Sequence, residues 1–368
     1  MHQLSLHEFS LHQTPEQQFK KANSVRIVIM GTGPFAVPSC QRLLAAGHDI
    51  PLVVVRPPAA AAGKKIPPAP VQSWATEAAL PIFRPASINA EESLERLRAI
   101  GADLFFVCDY GQILSRDCLR AARAGGINLH GSLLPRHRGA APVQWTLLTG
   151  DTLAGVSVIH MTPGLDAGPV IATRSLEIAP DENAEELEQR LSAAGCEATL
   201  EAVERLSAWD GASPLGTPQD QADATKAPRL NKADGQLDFT RPAIELARQV
   251  RGYQPWPGAY GDLVFSETKR LTVHLRATRS SPTTPGGVPK PVGTTWAATA
   301  AELQLVGSEW SAPWDKLLVV QSGNGCLLVS KVQPAGKRLM SADEFLRGHP
   351  LPSGAHFSLP TPTRAHSI

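Results

Sequence analysis

The sequence predicts an α/β protein in which a mostly parallel sheet, covered by helices on both faces, is followed by a smaller β-barrel. Apolar runs such as Val25–Gly31 and Ile50–Val55 lack the polar alternation of half-exposed strands, which indicates strands buried on both faces. Segments with helical periodicity separate these runs, as expected when helices connect parallel strands. After about residue 226, short strand-like runs between turn residues predict a barrel of about 100 residues.

The elements of the front half alternate in the order that a parallel sheet requires. Besides the two runs above, strands are predicted over residues 102–111, 126–131 and 155–162, and helices over residues 34–48, 71–79 and 91–100. A long amphipathic helix, Asn183–Trp209, is expected to close this first domain.

The back half has a different pattern of predicted elements, with short strands in place of alternating strands and helices. A Gly/Pro-rich linker over residues 210–225 leads to a short helix over residues 243–253 and to strands over residues 259–265, 270–278, 302–307, 316–322 and 325–333. We therefore expect a disordered extension (1–24), a first domain (25–209), the linker (210–225), a second domain (226–350) and a flexible tail (351–368).

Composition limits the class of protein. The 368 residues carry a formal net charge of +1, and no run approaches about 18 apolar residues, so we expect no transmembrane helix. The N-terminus lacks the continuous apolar segment of a signal peptide. The five cysteines are scattered without a C-x-x-C, which argues against a disulfide framework or structural zinc site and predicts a reducing cytoplasm: Cys40, Cys108, Cys118, Cys196 and Cys326.

Charge is distributed unevenly along the chain. Between Lys226 and Arg347 there are 16 Lys/Arg and 10 Asp/Glu, so the back half is basic and the rest of the chain is acidic. A basic domain is suited to a polyanionic partner, although a surplus of this size is equally typical of a solvated surface.

A glycine-rich segment, GTGPFA (Gly31–Ala36), lies between the first strand and a helix, where a dinucleotide-binding fingerprint would lie in a Rossmann-like domain. The second strand ends in VVVRPP, without the acidic residue that would bind a ribose. We therefore favour a tight turn or a small-ligand loop over a nicotinamide site.

Asn128 and His130 end an apolar strand and are followed by a stiff Pro/Arg/Gly loop. Their i, i+2 spacing places both side chains on one face of the strand. A structural histidine or a metal ligand are the alternatives, but only His137 and His160 lie near enough in sequence to complete a metal site. An Asn–His pair at a strand end instead favours binding or catalysis.

Asp166 lies in a Pro/Gly loop after the next strand, and we expect it to join Asn128 and His130 at the carboxyl edge of the sheet. Such a trio is suited to acyl transfer. The amide and imidazole stabilise an oxyanion, and the carboxylate orients the imidazole. Ser132 lacks a nucleophile-elbow setting and is expected to support the site, whereas Arg136 and Arg138 are suited to bind carboxylate or phosphate.

The segments INLHGSLLPRHRGAAPVQW and GVSVIHMTPGLDAGPVI resemble the 10-formyltetrahydrofolate-dependent formyltransferases, which use such an Asn–His–Asp trio. Further motifs extend the resemblance from Val25 to Gly348 and narrow it to the branch that formylates charged initiator tRNA. They are GTGPFAVPSCQRLL, GKKIPPAPVQ, APRLNKADGQLDF, GYQPWPGAY and VQPAGKRLMSADEFLRG.

The resemblance implies a Rossmann-like catalytic domain, an OB-like C-terminal barrel, and transfer of a formyl group from 10-formyltetrahydrofolate to the α-amine of methionine on tRNA. No metal is implied, and we expect a monomer. The implied catalytic residues are Asn128, His130 and Asp166. The implied folate-binding residues are Cys108, Asp109, Tyr110, Gly111, Ile113, Leu114, Ser132, Leu133, Leu134, Pro135 and Gly139. The implied tRNA-binding residues are Arg56, Lys64, Lys65, Lys226, Arg229, Lys331, Lys337 and Arg338.

Two positions depart from the family pattern. The loop RPPAAAAGKK lacks the Asp-Arg-Pro run and a further arginine that are usual there, and Asp109 replaces a small residue. Three alternatives remain: a formyltransferase acting on a sugar nucleotide or glycinamide ribonucleotide, a catalytically idle tRNA- or folate-binding relative, and a nicotinamide oxidoreductase. The basic back half argues against the glycinamide enzyme, the intact trio against an idle relative, and the missing ribose-binding acid against an oxidoreductase.

Overall fold

A computed structural model of the chain describes residues 24–58, 67–299, 302–303 and 316–359. Its backbone contacts divide the chain into two compact units. The first comprises residues up to His130 together with Ser157–Arg174 and Ser192–Gln219; the second comprises Gly131–Val156, Ser175–Leu191 and the chain from Asp220 onward. The domain boundaries expected from the sequence stay a prediction.

A seven-stranded sheet in the order β3-β2-β1-β4-β5-β7-β8 organises the front half of the chain. The pairs β1–β2, β2–β3, β1–β4 and β4–β5 are parallel, which confirms the predicted parallel-rich α/β fold. Its strands are β1 (Arg26–Gly31), β2 (Asp49–Val54), β3 (Ile82–Phe83), β4 (Leu104–Cys108), β5 (Gly126–His130), β7 (Leu153–His160) and β8 (Val170–Glu177).

The four helices predicted for the front half lie close to their predicted positions, and a short 3-10 turn over Pro34–Ala36 precedes the first. Two further helices, the fourth and fifth, were not predicted. The helices are α1 (Val37–Ala45), α2 (Pro70–Glu77), α3 (Glu91–Ile100), α4 (Arg116–Leu119), α5 (Pro142–Thr149) and α6 (Ala184–Ser207). Because β1 and β4 lie in the middle of the sheet, side chains on both of their faces are buried, including Val28, Met30, Phe105 and Phe106. This burial explains why the two strands read as unbroken apolar runs.

Strand β7 differs from the expectation, because it runs antiparallel to β5. Ile127 pairs with His160 and His130 pairs with Ser157, so β7 ends beside the start of β5. The loop that carries Asp166 therefore does not begin at the carboxyl edge of the parallel strands. It begins at the opposite end of β5 and has to extend back along that strand to reach His130.

The second unit contains an antiparallel sheet in the order β12-β13-β14-β11-β10-β16, with β15 paired to β14, as expected for an OB-like domain. Its strands are β10 (Tyr260–Ser266), β11 (Lys269–Ser281), β12 (Thr295–Thr299), β13 (Lys316–Gln321), β14 (Cys326–Pro334), β15 (Met340–Ser341) and β16 (His356–Phe357). Helices α7 (Ala243–Gly252) and α8 (Ala342–Gly348) accompany them, and a short ladder joins β6 (Arg138–Gly139) to β9 (Lys226–Ala227).

Two predictions for the back half need correction. Glu302 and Leu303 are helical, so the strand predicted over residues 302–307 does not begin there; residues 304–307 lie outside the described residues. The tail is not free from residue 351, because His356–Phe357 pair with β10. Phe357 is fully buried and stacks on Phe239 with ring centroids 4.9 Å apart. Burial of one phenylalanine contributes roughly 1.5–3 kcal/mol, enough to fix a Pro/Ser-rich segment locally.

Within the part of the chain that the structure describes, no helix is long and apolar enough to cross a membrane. The predicted N-terminal extension lies outside the described residues up to position 23, as does the chain end from residue 360.

Gly323→Ala is expected to destabilise the second unit. A Cβ atom at position 323 would lie 1.8 Å from the carbonyl oxygen of Thr240, and the Gly323 amide donates to the carbonyl of Phe239 at 2.9 Å. The backbone has to shift, so we expect a loss of about 1–3 kcal/mol in the free energy of unfolding, measured by denaturant titration. Gly348→Ala, where a Cβ meets no atom within 4 Å, is the control and should change stability by less than about 0.5 kcal/mol. Equal effects of the two substitutions would contradict the packing described here.

Candidate active site

Asn128 and His130 lie on one face of β5, as their spacing predicts. Leu129 between them faces the opposite side, where its Cδ2 atom lies 2.9 Å from the position of a Cβ on Gly195 of α6. The absence of a side chain at Gly195 thus lets α6 approach β5 closely. Packing on one face fixes the strand, and the other face is left to the two polar side chains.

Asp166 joins this pair. Its Oδ2 lies 3.8 Å from His130 Nδ1, and its Oδ1 accepts a hydrogen bond from Asn128 Nδ2 at 3.4 Å. The His130 side chain is 6% exposed and that of Asp166 12%. The three residues that the sequence singled out therefore form one cluster with little access to water. In such surroundings, a carboxylate near an imidazole orients the ring.

The loop that carries Asp166 is held by a residue that the sequence did not indicate. Gln219 donates its side-chain amide to the carbonyls of Asp166, at 2.8 Å, and Gly168, at 2.7 Å. A Cβ on Gly168 would lie 1.8 Å from the carbonyl oxygen of His160, so glycine is required where the loop folds back. Gln219 belongs to the segment predicted as a linker, and a glutamine in a polar linker carries no local signal of this contact.

The loop after β4, predicted to bind folate, is anchored to a preceding loop by side-chain hydrogen bonds from both loops. Gln112 accepts from the amide of Ile88 at 2.8 Å, and Asn89 accepts from the amide of Ser115 and donates to the carbonyl of Ile113. Ser115 in turn caps α4 through the amide of Cys118. The backbone of this loop is thereby fixed without repetitive secondary structure.

The side chains of the β4 loop differ in their accessibility. Cys108, Tyr110 and Leu114 are buried in or beside the core, whereas the Ile113 side chain is 77% exposed. Gly111 has a φ of +77°, and a Cβ there would lie 2.8 Å from an Arg56 guanidinium nitrogen. Only the backbone of the loop and the side chains of Asp109 and Ile113 are available to a ligand here.

The glycines of GTGPFA are explained by close packing. A Cβ on Gly31 would lie 2.9 Å from the carbonyl oxygen of Cys108, and one on Gly33 would lie 2.8 Å from Asp109 Oδ2. This arrangement agrees with the tight turn that we favoured over a nicotinamide site.

Asp109 has a φ of +48°, a left-handed conformation that is uncommon for a residue with a side chain. The residue is exposed as a whole, but the surrounding protein desolvates its carboxylate. That desolvation raises the pKa of the Asp109 carboxyl, and the charge of His130 opposes the rise.

The remaining candidates of the Ser132–Gly139 loop belong to the second unit. Ser132 donates to the carbonyl of Arg136 at 2.6 Å, so it stabilises the loop, as expected for a supporting residue. Asp151 accepts from Arg136 at 2.7 Å and contacts His137 at 2.8 Å. Gly139 has a φ of +133°, and a Cβ there would lie 2.4 Å from the carbonyl oxygen of Ala227. The side chains between Ser132 and Arg136 are half-buried: Leu133, Leu134 and Pro135.

The basic residues predicted to bind tRNA are exposed wherever the structure describes them. Arg338 forms an ion pair with Glu344. Lys64 and Lys65 lie outside the described residues. The exposed ones are Arg56, Lys226, Arg229, Lys331, Lys337 and Arg338.

The described residues include no group of three or more His, Cys, Asp or Glu side chains that could hold a metal ion. The two histidines considered as ligands have other contacts: His137 with Asp151, and His160 with the carbonyl of Ala124 at 2.9 Å. The five cysteines are free thiols, and burial raises the pKa of Cys118 to about 12. A buried thiol of this kind is a poor nucleophile.

Comparison with known proteins covers nearly the whole chain. A family model described as formyl transferase matches residues 25–203, and one described as formyl transferase, C-terminal domain, matches residues 229–350. A methionyl-tRNA formyltransferase of Rhodopirellula baltica is 45% identical over 350 residues, 93% of this chain and 99% of the relative. That of Moorella thermoacetica is 38% identical over 331 residues, 90% of this chain and 98% of the relative.

Solved structures share the fold. An N-formyltransferase from Helicobacter canadensis, in complex with folinic acid and dTDP-3-aminofucose, has a TM-score of 0.56 at 15% identity and covers 83% of this chain and 98% of its own. HypX from Aquifex aeolicus, in complex with tetrahydrofolic acid, has a TM-score of 0.54 at 14% identity and covers 88% and 47%. At these identities the likeness concerns the fold alone. The family models and the two relatives, by contrast, identify the chain as a member of the methionyl-tRNA formyltransferase family.

Proposed function

We propose that the chain transfers the formyl group of 10-formyltetrahydrofolate to the α-amine of methionine on initiator tRNA. The observation that carries the proposal is the Asn128–His130–Asp166 cluster in a chain that is 45% identical, over 93% of its length, to a methionyl-tRNA formyltransferase. The reaction is an acyl transfer in which the substrate amine is itself the nucleophile, so it requires no nucleophilic serine or cysteine.

Asn128 and His130 are proposed to stabilise the negative charge that develops on the formyl oxygen when the amine attacks. Both side chains supply N–H donors from a fixed strand in a poorly hydrated cluster, where donors aimed at a developing charge act most strongly. Their positions are set before substrate binds, because β5 is held by its strand neighbours and by packing of Leu129 against α6.

Asp166 is proposed to orient His130. The 3.8 Å separation between its Oδ2 and His130 Nδ1 supports an electrostatic interaction, and its bond with Asn128 fixes the carboxylate. A protonated imidazole donates to an oxyanion more strongly than a neutral one and can return a proton as the intermediate collapses.

The folate is proposed to lie against the backbone of the Cys108–Leu114 loop and the loop before Asp166. The anchoring by Gln112 and Asn89 supports this, because a rigid loop with free backbone groups can recognise the polar edge of a pterin without reorganising. The exposed Ile113 side chain adds apolar surface for a flat ring.

The tRNA phosphates are proposed to contact five exposed cations of the second unit, and the acceptor end to contact the Arg56 region. These five cations are Lys226, Arg229, Lys331, Lys337 and Arg338. The net positive charge of residues 226–347 supports this, since phosphate contacts supply most of the affinity for nucleic acids. We further propose that the protein acts as a monomer in the cytoplasm, where charged tRNA is available and thiols stay reduced.

The test of the function is an initial-rate assay with purified protein, 10-formyltetrahydrofolate and methionine-charged initiator tRNA, in which formylmethionine is measured after alkaline release. Rapid formylation is expected. Amino-sugar nucleotides serve as competing acceptors in the same assay. Formylation of those acceptors but not of the tRNA would replace the proposed function with a sugar-nucleotide formyltransferase.

Reversing the charge of Lys337 and Arg338 to glutamate should weaken tRNA binding about tenfold or more at low salt and reduce its salt dependence, because two phosphate-facing charges are lost. Affinity is measured by filter binding over a range of salt concentrations. The control reverses Lys269 and Arg270, two exposed cations at the start of β11, and changes the net charge equally. If both double variants bind alike, general charge rather than the 337–338 patch attracts the tRNA.

A further inference from the structure

Asp109 is a polar side chain near the cluster, and the mechanism above does not use it. It follows β4 directly and adopts a left-handed φ of +48°, a strained conformation for a residue with a Cβ. The residue is exposed as a whole, and its carboxylate makes no hydrogen bond or ion pair with another described residue. A costly backbone conformation that presents an unpaired carboxylate is typical of a functional position.

The strand register brings Asp109 and His130 to the same edge of the sheet. Val107 of β4 pairs with Asn128 of β5, so Asp109 follows β4 at the edge where β5 ends in His130. The charges of Asp109 and His130 interact accordingly. On its other side, Asp109 Oδ2 lies 2.8 Å from the position of a Cβ on Gly33, so the absence of a side chain there makes room for the carboxylate.

The α-amino group of the acceptor supplies a cationic partner for the Asp109 carboxylate. An α-amino group with a pKa of about 7.7–8.0 is largely an ammonium at neutral pH, and an ammonium has no lone pair for attack. A general base must therefore remove one proton first. Asp166 is already engaged by Asn128 and His130, which leaves Asp109 as the neighbouring carboxylate open to the substrate.

We infer that Asp109 binds the α-ammonium of the acceptor and takes one of its protons, and so acts as a further catalytic residue. The inference rests on the proposed function. The N–H bond breaks and the proton passes to the Asp109 carboxylate. The nitrogen lone pair then forms a bond to the formyl carbon. As the intermediate collapses, the bond from that carbon to N10 of the folate breaks, and N10 receives the second proton of the amine. The proton on Asp109 is released to solvent.

The charged groups around Asp109 are consistent with this role. From β5 it faces His130, whose Nδ1 lies 3.8 Å from Asp166 Oδ2. The segment Gly31–Gly33 contributes no titratable group. Arg56, at the end of β2, packs beside Gly111 and not in an ion pair with Asp109. Desolvation raises the pKa of the Asp109 carboxyl, which brings its basicity closer to that of the amine and makes proton transfer easier.

The test is the pH dependence of kcat/KM for charged tRNA in Asp109→Asn and the wild type. At about pH 6 the variant lacks an acceptor for the ammonium proton and should be slower by about tenfold to a hundredfold. At about pH 9 the amine is already neutral, so the ratio of the two rates should fall to a few-fold or less. Asp109→Ala, with the small residue usual in the family, should behave in the same way. Asp117→Asn on α4, which changes an exposed aspartate paired with Arg120, is the control and should match the wild type at every pH.

Other outcomes contradict the inference. If the ratio of wild-type to Asp109→Asn kcat/KM stays constant from about pH 6 to about pH 9, Asp109 has a structural role. A rise confined to the KM for the folate would assign it to formyl-donor binding. The wild-type rate in the same experiment tests the proposed function separately: an active wild type with a flat ratio overturns only the role of Asp109, whereas an inactive wild type overturns both.

Discussion

The contact of Asp166 with Asn128 and His130 is the interaction on which the site depends. Two of these residues are fixed by a central strand, but the third is on a loop that leaves its strand at the far end of β5. The chain brings it back by folding at Gly168, where no side chain fits, and by bonding Gln219 to the carbonyls of Asp166 and Gly168. The position of Asp166 relative to Asn128 and His130 therefore depends on how firmly this loop is held.

The rest of the first unit supports the same edge of the sheet. Gly31 and Gly33 allow the first loop to pack against the end of β4, and side chains at positions 89 and 112 fix the loop that follows it. The site thus combines rigid strands with loops that are tied down by polar contacts. This combination is common in active sites at a sheet edge. The strands position the site precisely, and the loops supply functional groups.

Much of this could be predicted from the sequence, because buried parallel strands and amphipathic helices leave periodic patterns in the chain. The trio could be predicted because an Asn–His pair at a strand end and a lone acid in a Pro/Gly loop are unusual. The antiparallel direction of β7 could not, since an apolar run is the same in either direction. Gln219 and Phe357 were also missed, because each makes a long-range contact from a segment whose local composition resembles a linker or tail.

The central claim is that His130 and Asp166 act as one unit in formyl transfer, and a double-mutant cycle tests it most directly. Initial rates are measured for His130→Ala, Asp166→Asn and the double variant with charged initiator tRNA. We expect each single substitution to lower kcat by about a hundredfold or more, and the double variant to be no slower than the slower single variant, because the carboxylate acts through the imidazole. Rate losses that multiply in the double variant would show that the two residues act independently and would contradict this account.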